Sequence, residues 1–173
     1  MRGITNILIL IFFVACNVYN PKDKPFIYID ASILRAFDTT RVYFDTTKTY
    51  KAFDIKLTIE NKSKEPVSFW MMTCSWEDNF IVNNDYVDFI PHECDGNFPR
   101  SIYLKSNERK ELKSSILKYE MTRYQTINTT KFGLIYIDTL NSKNPLYFDE
   151  IMGDKSRHDK IIWSNAIYLK NNQ

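Results

Sequence analysis

The amino-acid sequence predicts an all-β fold, an antiparallel β-sandwich of about seven to nine strands. Apolar residues recur mostly at a period of two, and polar turns separate the apolar segments. No window of a dozen residues has a convincing 3.6-residue period. The chain has 173 residues, of which 44% are hydrophobic and 25% charged, which is typical of one globular domain. A small closed β-barrel is the alternative architecture.

The clearest strand covers residues 53–60, where apolar and polar side chains alternate strictly. This alternation predicts a half-buried strand with one face in the core. A polar turn over residues 61–66 ends in a proline, and the apolar segment 67–74 follows it. We expect the two strands to form a hairpin. The side chains predicted to face the core are Phe53, Ile55, Leu57 and Ile59.

Further short strands are predicted along the rest of the chain. Trp163 lies in the last of these apolar segments, so we expect it in the core. The turn between Ile59 and Phe69, together with residues 104–108, resembles the turns of small exported immunoglobulin-like domains of bacteria. The resemblance implies an immunoglobulin-like sandwich and carries no chemistry. The further strand segments are 26–34, 86–90, 101–104, 111–117, 132–137 and 160–169.

The N-terminus has the layout of a secretory signal. Arg2 precedes a short apolar run over residues 7–15, which is too short for a transmembrane helix of about 20 apolar residues. The run ends in Phe13-Val14-Ala15-Cys16, which resembles the lipobox of bacterial lipoproteins. That resemblance implies cleavage before Cys16, lipid such as palmitate on this cysteine, and anchoring to a membrane. An ordinary signal peptide with an incidental Cys16 is the alternative.

These features divide the chain into three parts. We expect a lipoprotein signal peptide over residues 1–15, a polar tether over 16–25 and a single β-sandwich domain over 26–173. The expected location is the bacterial cell envelope, where the lipid holds the exported domain at a membrane.

Cys74 and Cys94 are predicted to form a disulfide, because an exported protein folds in an oxidising compartment. The closed loop of about 20 residues is worth roughly 3 kcal/mol in the chain-entropy model. Two buried thiols are the alternative. A zinc site is disfavoured because His92 and His158 supply no close ligand pair, so we expect no metal and no cofactor.

The segment 75–99 holds six carboxylates and no Lys or Arg, in a chain with a formal net charge of +2. It is interpreted as a solvated acidic insert, with a docking face for a partner and a cation site as the two alternatives. Trp76 is expected to pack on the disulfide or, alternatively, to stand exposed and bind a ligand. The candidate binding surface consists of Trp76, Asp85, Tyr86, Asp88, Glu93 and Asp95.

No catalytic residue is predicted, since no Ser or Cys lies in a nucleophile motif and both histidines read as loop residues. Nucleic acid is excluded as a partner, because basic residues do not cluster with aromatics. The leading hypothesis is therefore a non-enzymatic envelope lipoprotein that binds another envelope protein as an adaptor. The alternatives are a lipoprotein that binds carbohydrate or another small ligand, and an inhibitor or immunity-type protein that acts through the loop 75–93.

Overall fold

The computed structural model describes residues 26–43, 46–119, 129–139 and 161–170. Cys16, the predicted signal peptide, the predicted tether and His158 lie outside these residues. Eleven β-strands and one short 3₁₀ turn, Trp76–Asn79, form in the described part of the chain. The strands are β1 Ile27–Tyr43, β2 Thr46–Asn61, β3 Val67–Met72, β4 Phe80–Val82, β5 Val87–Phe89, β6 Pro99–Leu104, β7 Arg109–Lys118, β8 Thr129–Thr130, β9 Phe132–Ile135, β10 Ile161–Trp163 and β11 Ile167–Tyr168.

The first layer is a four-stranded antiparallel sheet in the order β1-β2-β7-β5. This order is that of the A-B-E-D sheet of immunoglobulin constant-type domains, with β5 as strand D and β7 as strand E. β1 extends well past residue 34, where the predicted first strand ends. Its later residues pair with β2 beyond the reach of β7, and their polar side chains give no alternating signal.

The second layer contains the remaining strands. β9 lies between β10 and β4, as strand F lies between G and C in immunoglobulin folds. β3 and β6 pair with each other, and Trp70 of β3 donates its backbone N–H to the Ile137 carbonyl at 2.9 Å. β8 and β9 are separated only by Lys131. β8 pairs with β11 and β9 pairs with β10, so the two pairs form one interrupted hairpin.

The predicted antiparallel β-sandwich is confirmed. The side chain of Asn165 hydrogen-bonds the backbone of β1 at the edge of the second layer: Asn165 Oδ1 accepts the Ala31 N–H at 2.7 Å, and Asn165 Nδ2 donates to the Ala31 carbonyl at 3.0 Å. Among the described strands, no backbone ladder joins β1 to the second layer. These strands therefore do not form the small closed barrel that was the alternative architecture. None of the described segments is a helix long and apolar enough to cross a membrane.

The core lies between the two layers. From β2 it includes the four side chains predicted from alternation, all 0% or 1% exposed. Phe69 of β3 and Phe132 and Leu134 of β9 oppose them and are fully buried. Burial of aromatic and aliphatic area on both facing sheets stabilises the sandwich.

The predicted hairpin between 53–60 and 67–74 is wrong. β2 pairs with β1 and β7, whereas β3 pairs with β6 in the other layer. Both strands bury alternate residues, and these faces meet across the core instead of lying side by side. Asn61 holds the crossing turn: fully buried, it donates from Nδ2 to the carbonyls of Glu65 at 2.8 Å and Leu104 at 3.1 Å.

Trp163 is not a core residue. Its strand, β10, lies at the edge of its sheet, and 42% of Trp163 is exposed. The ring lies over Gly133 of β9, its direct strand partner. In the segment 160–169, the edge strand β10 therefore covers a glycine of the neighbouring strand β9, and Ile167 and Leu169 are buried near the end of the segment.

Candidate functional site

The predicted disulfide joins Cys74, just after β3, to Cys94 in the loop before β6, with their Cα atoms 5.8 Å apart. Asn97 reinforces the link, because its Oδ1 accepts the backbone N–H groups of Cys74 at 3.3 Å and Ser75 at 3.2 Å. The intervening segment is therefore fixed at both ends to the same edge of the second layer.

The 3₁₀ turn begins directly after the disulfide. Ser75 donates its hydroxyl to the Asp78 carboxylate, which ties the start of the turn to its third residue. Trp76 is half-buried and packs edge-on against Phe80 and Phe89, at ring-centroid distances of 5.6 and 6.0 Å. Trp76 thus packs against the core through these aromatic rings.

A cleft of about 720 Å³ opens between this turn, β4, β5 and the residues that follow β5. Its wall is partly apolar, with Phe80, Phe89 and Ile135 among the lining residues. Four carboxylates and one histidine also line it, and no Lys or Arg does. The charged and titratable lining residues are Glu77, Asp78, Asp85, Asp88 and His92.

The cleft brings together part of the predicted binding surface. Asp85 and Asp88 line it and are exposed. Glu93 and Asp95 are exposed beside Cys94, outside the lining, and Trp76 is also outside it. Tyr86, half-buried and outside the lining, donates its backbone N–H to Asn84 Oδ1 at 3.0 Å.

Glu77 lines the cleft and was not distinguished in the sequence from the other acids of its segment. Only 9% of it is exposed. Ser114 of β7 donates its hydroxyl to Glu77 Oε1 at 2.7 Å, whereas Glu77 Oε2 is buried without a hydrogen-bond partner in the described structure. A carboxylate without full hydrogen bonding is costly to bury. Nothing in the local sequence marks this position, because its burial depends on a strand 37 residues away.

His92 connects Glu77 to the disulfide. Its Nε2 lies 3.1 Å from the Cys74 carbonyl oxygen; since a carbonyl only accepts, Nε2 carries a proton and donates it. Its Nδ1 lies 3.5 Å from Glu77 Oε1, and this contact is an ion pair only when the ring is protonated. The histidine is thus held between a backbone acceptor and a buried carboxylate.

Three donor atoms of Cys74, His92 and Cys94 lie within 4.8 Å of one another. Thiolates are the cysteine form that binds metals, and both sulfurs are joined in the disulfide. In this oxidised form neither sulfur is a thiolate, so the cluster does not supply the ligand set of a zinc site.

No protein-family model, curated protein or solved structure matches the chain. The fold class therefore stands on the sheet order and register described above.

Proposed function

We propose that this chain is a lipid-anchored lipoprotein of the bacterial cell envelope whose β-sandwich is a non-enzymatic module that binds a protein partner. The observation that carries this proposal is the cleft, with four carboxylates, an apolar wall and no Lys or Arg in its lining. The lipobox-like Phe13-Val14-Ala15-Cys16 supports the anchoring part.

The chemistry of the cleft favours a basic partner with some apolar surface. Several carboxylates in a concave site attract cations, speed the encounter with a basic partner and disfavour acidic partners. The apolar wall adds affinity by removing hydrocarbon from water. A protein segment that carries Lys or Arg beside apolar residues satisfies both features.

The alternative of an inhibitor or immunity-type protein acting through loop 75–93 uses the same surface. The disulfide fixes this loop, which reduces the entropy lost on binding. It differs in the partner, which would be an enzyme blocked by the loop. The carbohydrate alternative relies on an exposed aromatic side chain, with Trp76, Tyr86 and Phe98 as the candidates; of these three, Phe98 is the most exposed, at 59%, and the other two are half-buried.

The proposal is tested by partner capture with charge reversal. The full chain carries a C-terminal tag, is expressed in its native envelope and is crosslinked, and captured proteins are identified by mass spectrometry. We expect one dominant partner whose yield falls at least about tenfold in the Asp85→Lys/Asp88→Lys variant and falls with added salt.

A matched control makes the same charge change away from the cleft. Asp38 and Glu65 are exposed and do not line the cleft, so Asp38→Lys/Glu65→Lys should retain capture. Cys16→Ala tests the anchor separately. Equal loss in both charge-reversal variants, or equal retention in both, would contradict binding at the cleft.

A further inference from the structure

We propose that Cys74, Cys94 and His92 bind one Zn²⁺ ion when their disulfide is reduced, and that Glu77 orients the histidine for this role. The inference goes beyond partner binding and differs from the expectation of no metal. It starts from the three donor atoms, which lie within 4.8 Å of one another although the sequence spacing of their residues follows no common zinc motif.

The orientation of His92 is the first support. Nε2 faces Cys74, at 3.1 Å from its carbonyl oxygen and 4.0 Å from its Sγ, while Nδ1 faces Glu77 Oε1 at 3.5 Å. A zinc-bound histidine uses its two nitrogens in this way: one binds the metal and the other donates its N–H to a carboxylate. The ring proton therefore moves from Nε2 to Nδ1 when the metal replaces the carbonyl as the partner of Nε2.

The positions of the two cysteines are the second support. Zinc–sulfur bonds of about 2.3 Å at tetrahedral angles place two sulfurs roughly 3.8 Å apart, so the S–S bond has to be broken first. The Cα atoms are already 5.8 Å apart. Both cysteines lie outside strands, so their side chains can rotate without breaking a β-ladder. Two cysteines and one histidine leave the fourth coordination position open for water.

The redox step balances with a dithiol as the reductant. The dithiol transfers two electrons and two protons to the Cys74–Cys94 bond and becomes a disulfide itself. The two thiols formed lose their protons when Zn²⁺ binds them as thiolates. Exchange with a disulfide as the oxidant reverses the step: that disulfide takes up two electrons from the two thiolates and two protons from solvent and becomes a dithiol, the Cys74–Cys94 bond forms again, and the metal is released.

Glu77 is a positioning residue in this proposal. Its Oε1 is fixed by the Ser114 hydroxyl at 2.7 Å, and the residue is buried, so the acceptor for His92 Nδ1–H is held in place. Carboxylates that orient zinc-bound histidines typically contribute about 10- to 100-fold in metal affinity.

The test uses the full chain in detergent micelles, reduced with a phosphine that is then removed, and titrated with Co²⁺ followed by Zn²⁺. We expect one Co²⁺ per chain, visible d–d bands of a tetrahedral site and a near-ultraviolet sulfur-to-cobalt charge-transfer band, all displaced by Zn²⁺. The oxidised chain and a Cys74→Ser/Cys94→Ser variant should show no charge-transfer band. The double variant also controls for Cys16.

Two further variants separate the histidine and the carboxylate. His92→Ala should weaken Zn²⁺ binding more than tenfold, whereas His158→Ala, the other histidine of the chain, should not. Glu77→Gln should keep the charge-transfer band and weaken Zn²⁺ binding by about 10- to 100-fold. A reduced chain that unfolds and is refolded by Zn²⁺ also supports the site.

Three results would overturn the proposal. The first is a reduced chain, folded or unfolded, that gives no sulfur-to-cobalt band and is not refolded by Zn²⁺. The second is equal Zn²⁺ affinity in the His92→Ala and His158→Ala variants. The third is equal metal binding by the oxidised and reduced chains.

Discussion

The ring of Trp163 lies across Gly133 on the neighbouring strand: a Cβ atom placed on Gly133 would approach the ring carbons to 3.0 Å and Ile161 Cγ2 to 2.5 Å. The two residues are direct register partners of β10 and β9. Contacts below 3.0 Å force neighbouring atoms to move, so the glycine is required by packing and not by its backbone angle.

Gly133→Ala should therefore destabilise the domain through overpacking, by about 1–3 kcal/mol in the free energy of unfolding. Urea denaturation followed by tryptophan fluorescence measures the change. In an Ile161→Ala background, which removes the closest clashing atom, the loss should be smaller. An equal loss in both backgrounds would contradict the steric explanation.

The sequence predicted the fold class and the buried face of β2 because both depend on a local period of two. It did not predict which strands are neighbours. A short polar turn joins residues 53–60 and 67–74, and this pattern favours a hairpin. In the structure the buried Asn61 side chain holds this turn so that the chain passes from one layer to the other. Strand pairing across layers depends on side chains distant in sequence, and no local pattern reports it.

The sequence predicted only part of the candidate site, because the rest depends on contacts between residues that are distant in sequence. A count of charges locates Asp85 and Asp88, which line the cleft. Glu77 becomes distinct only through Ser114 on β7, and His92 only through its position between Glu77 and Cys74. The predicted disulfide between Cys74 and Cys94 is formed; a chain with three cysteines allows few pairings.

Removing the disulfide should lower stability. The Cys74→Ala/Cys94→Ala variant opens a loop with a sequence separation of 20 residues, which should reduce the free energy of unfolding by about 3 kcal/mol. Urea denaturation of this variant and the oxidised parent measures the difference, and the parent in excess dithiol should approach the variant. A variant as stable as the oxidised parent would show that the bond does not constrain the unfolded chain.

Tyr136 should make the domain sensitive to alkali. Burial, followed by the charge of Asp138, raises the pKa of Tyr136 to about 12, whereas an unfolded tyrosine has a pKa near 10. Because the folded pKa is the higher one, stability is unaffected below about pH 10 and falls as the pH rises toward 12, by up to about 2 kcal/mol.

Urea denaturation at several values between pH 8 and 11.5 tests this sign. Tyr136→Phe should flatten the alkaline limb of the curve. Tyr103→Phe, which changes a tyrosine that is 57% exposed, is the matched control. A limb that is unchanged in Tyr136→Phe would contradict the assignment.

Asp54 should make the domain sensitive to acid. The Ser115 hydroxyl, 2.6 Å from Oδ1, and the Arg35 guanidinium, 2.7 Å from Oδ2, hold the pKa of Asp54 below its usual value against the opposing effect of burial. Because the folded pKa is the lower one, this stabilisation is present above about pH 4 and is lost as the pH falls through the folded pKa.

Asp54→Asn should therefore show a shallower loss of stability in acid than the parent. Because Arg35 is largely exposed, the effect at neutral pH should not exceed about 1 kcal/mol. Thermal unfolding between pH 2.5 and 7 measures it. Ser115→Ala should remove the largest single cause of the pKa lowering of Asp54, and an acid limb identical to the parent in both variants would count against this explanation.

Together, Glu77 and Ser114 should add no net stability to the domain, because the carboxylate is buried without full hydrogen bonding. Ser114→Ala removes the hydroxyl that Oε1 accepts and leaves a buried carboxylate whose Oε2 already has no partner in the described structure, so stability should fall by about 1–3 kcal/mol. The double variant Glu77→Met/Ser114→Ala replaces both polar groups by apolar ones of similar size. Such replacements are often neutral or stabilising, so the double variant should be at least as stable as the parent.

A double-mutant cycle by urea denaturation measures these values at pH 7 and constant salt. Partner capture at the acidic cleft should be weaker in the double variant, because one of its four carboxylates is lost. Gain of stability together with loss of binding is the combination expected where a buried charge is retained for function. A double variant that is much less stable than Ser114→Ala would instead assign Glu77 a structural role in holding the 3₁₀ turn against β7.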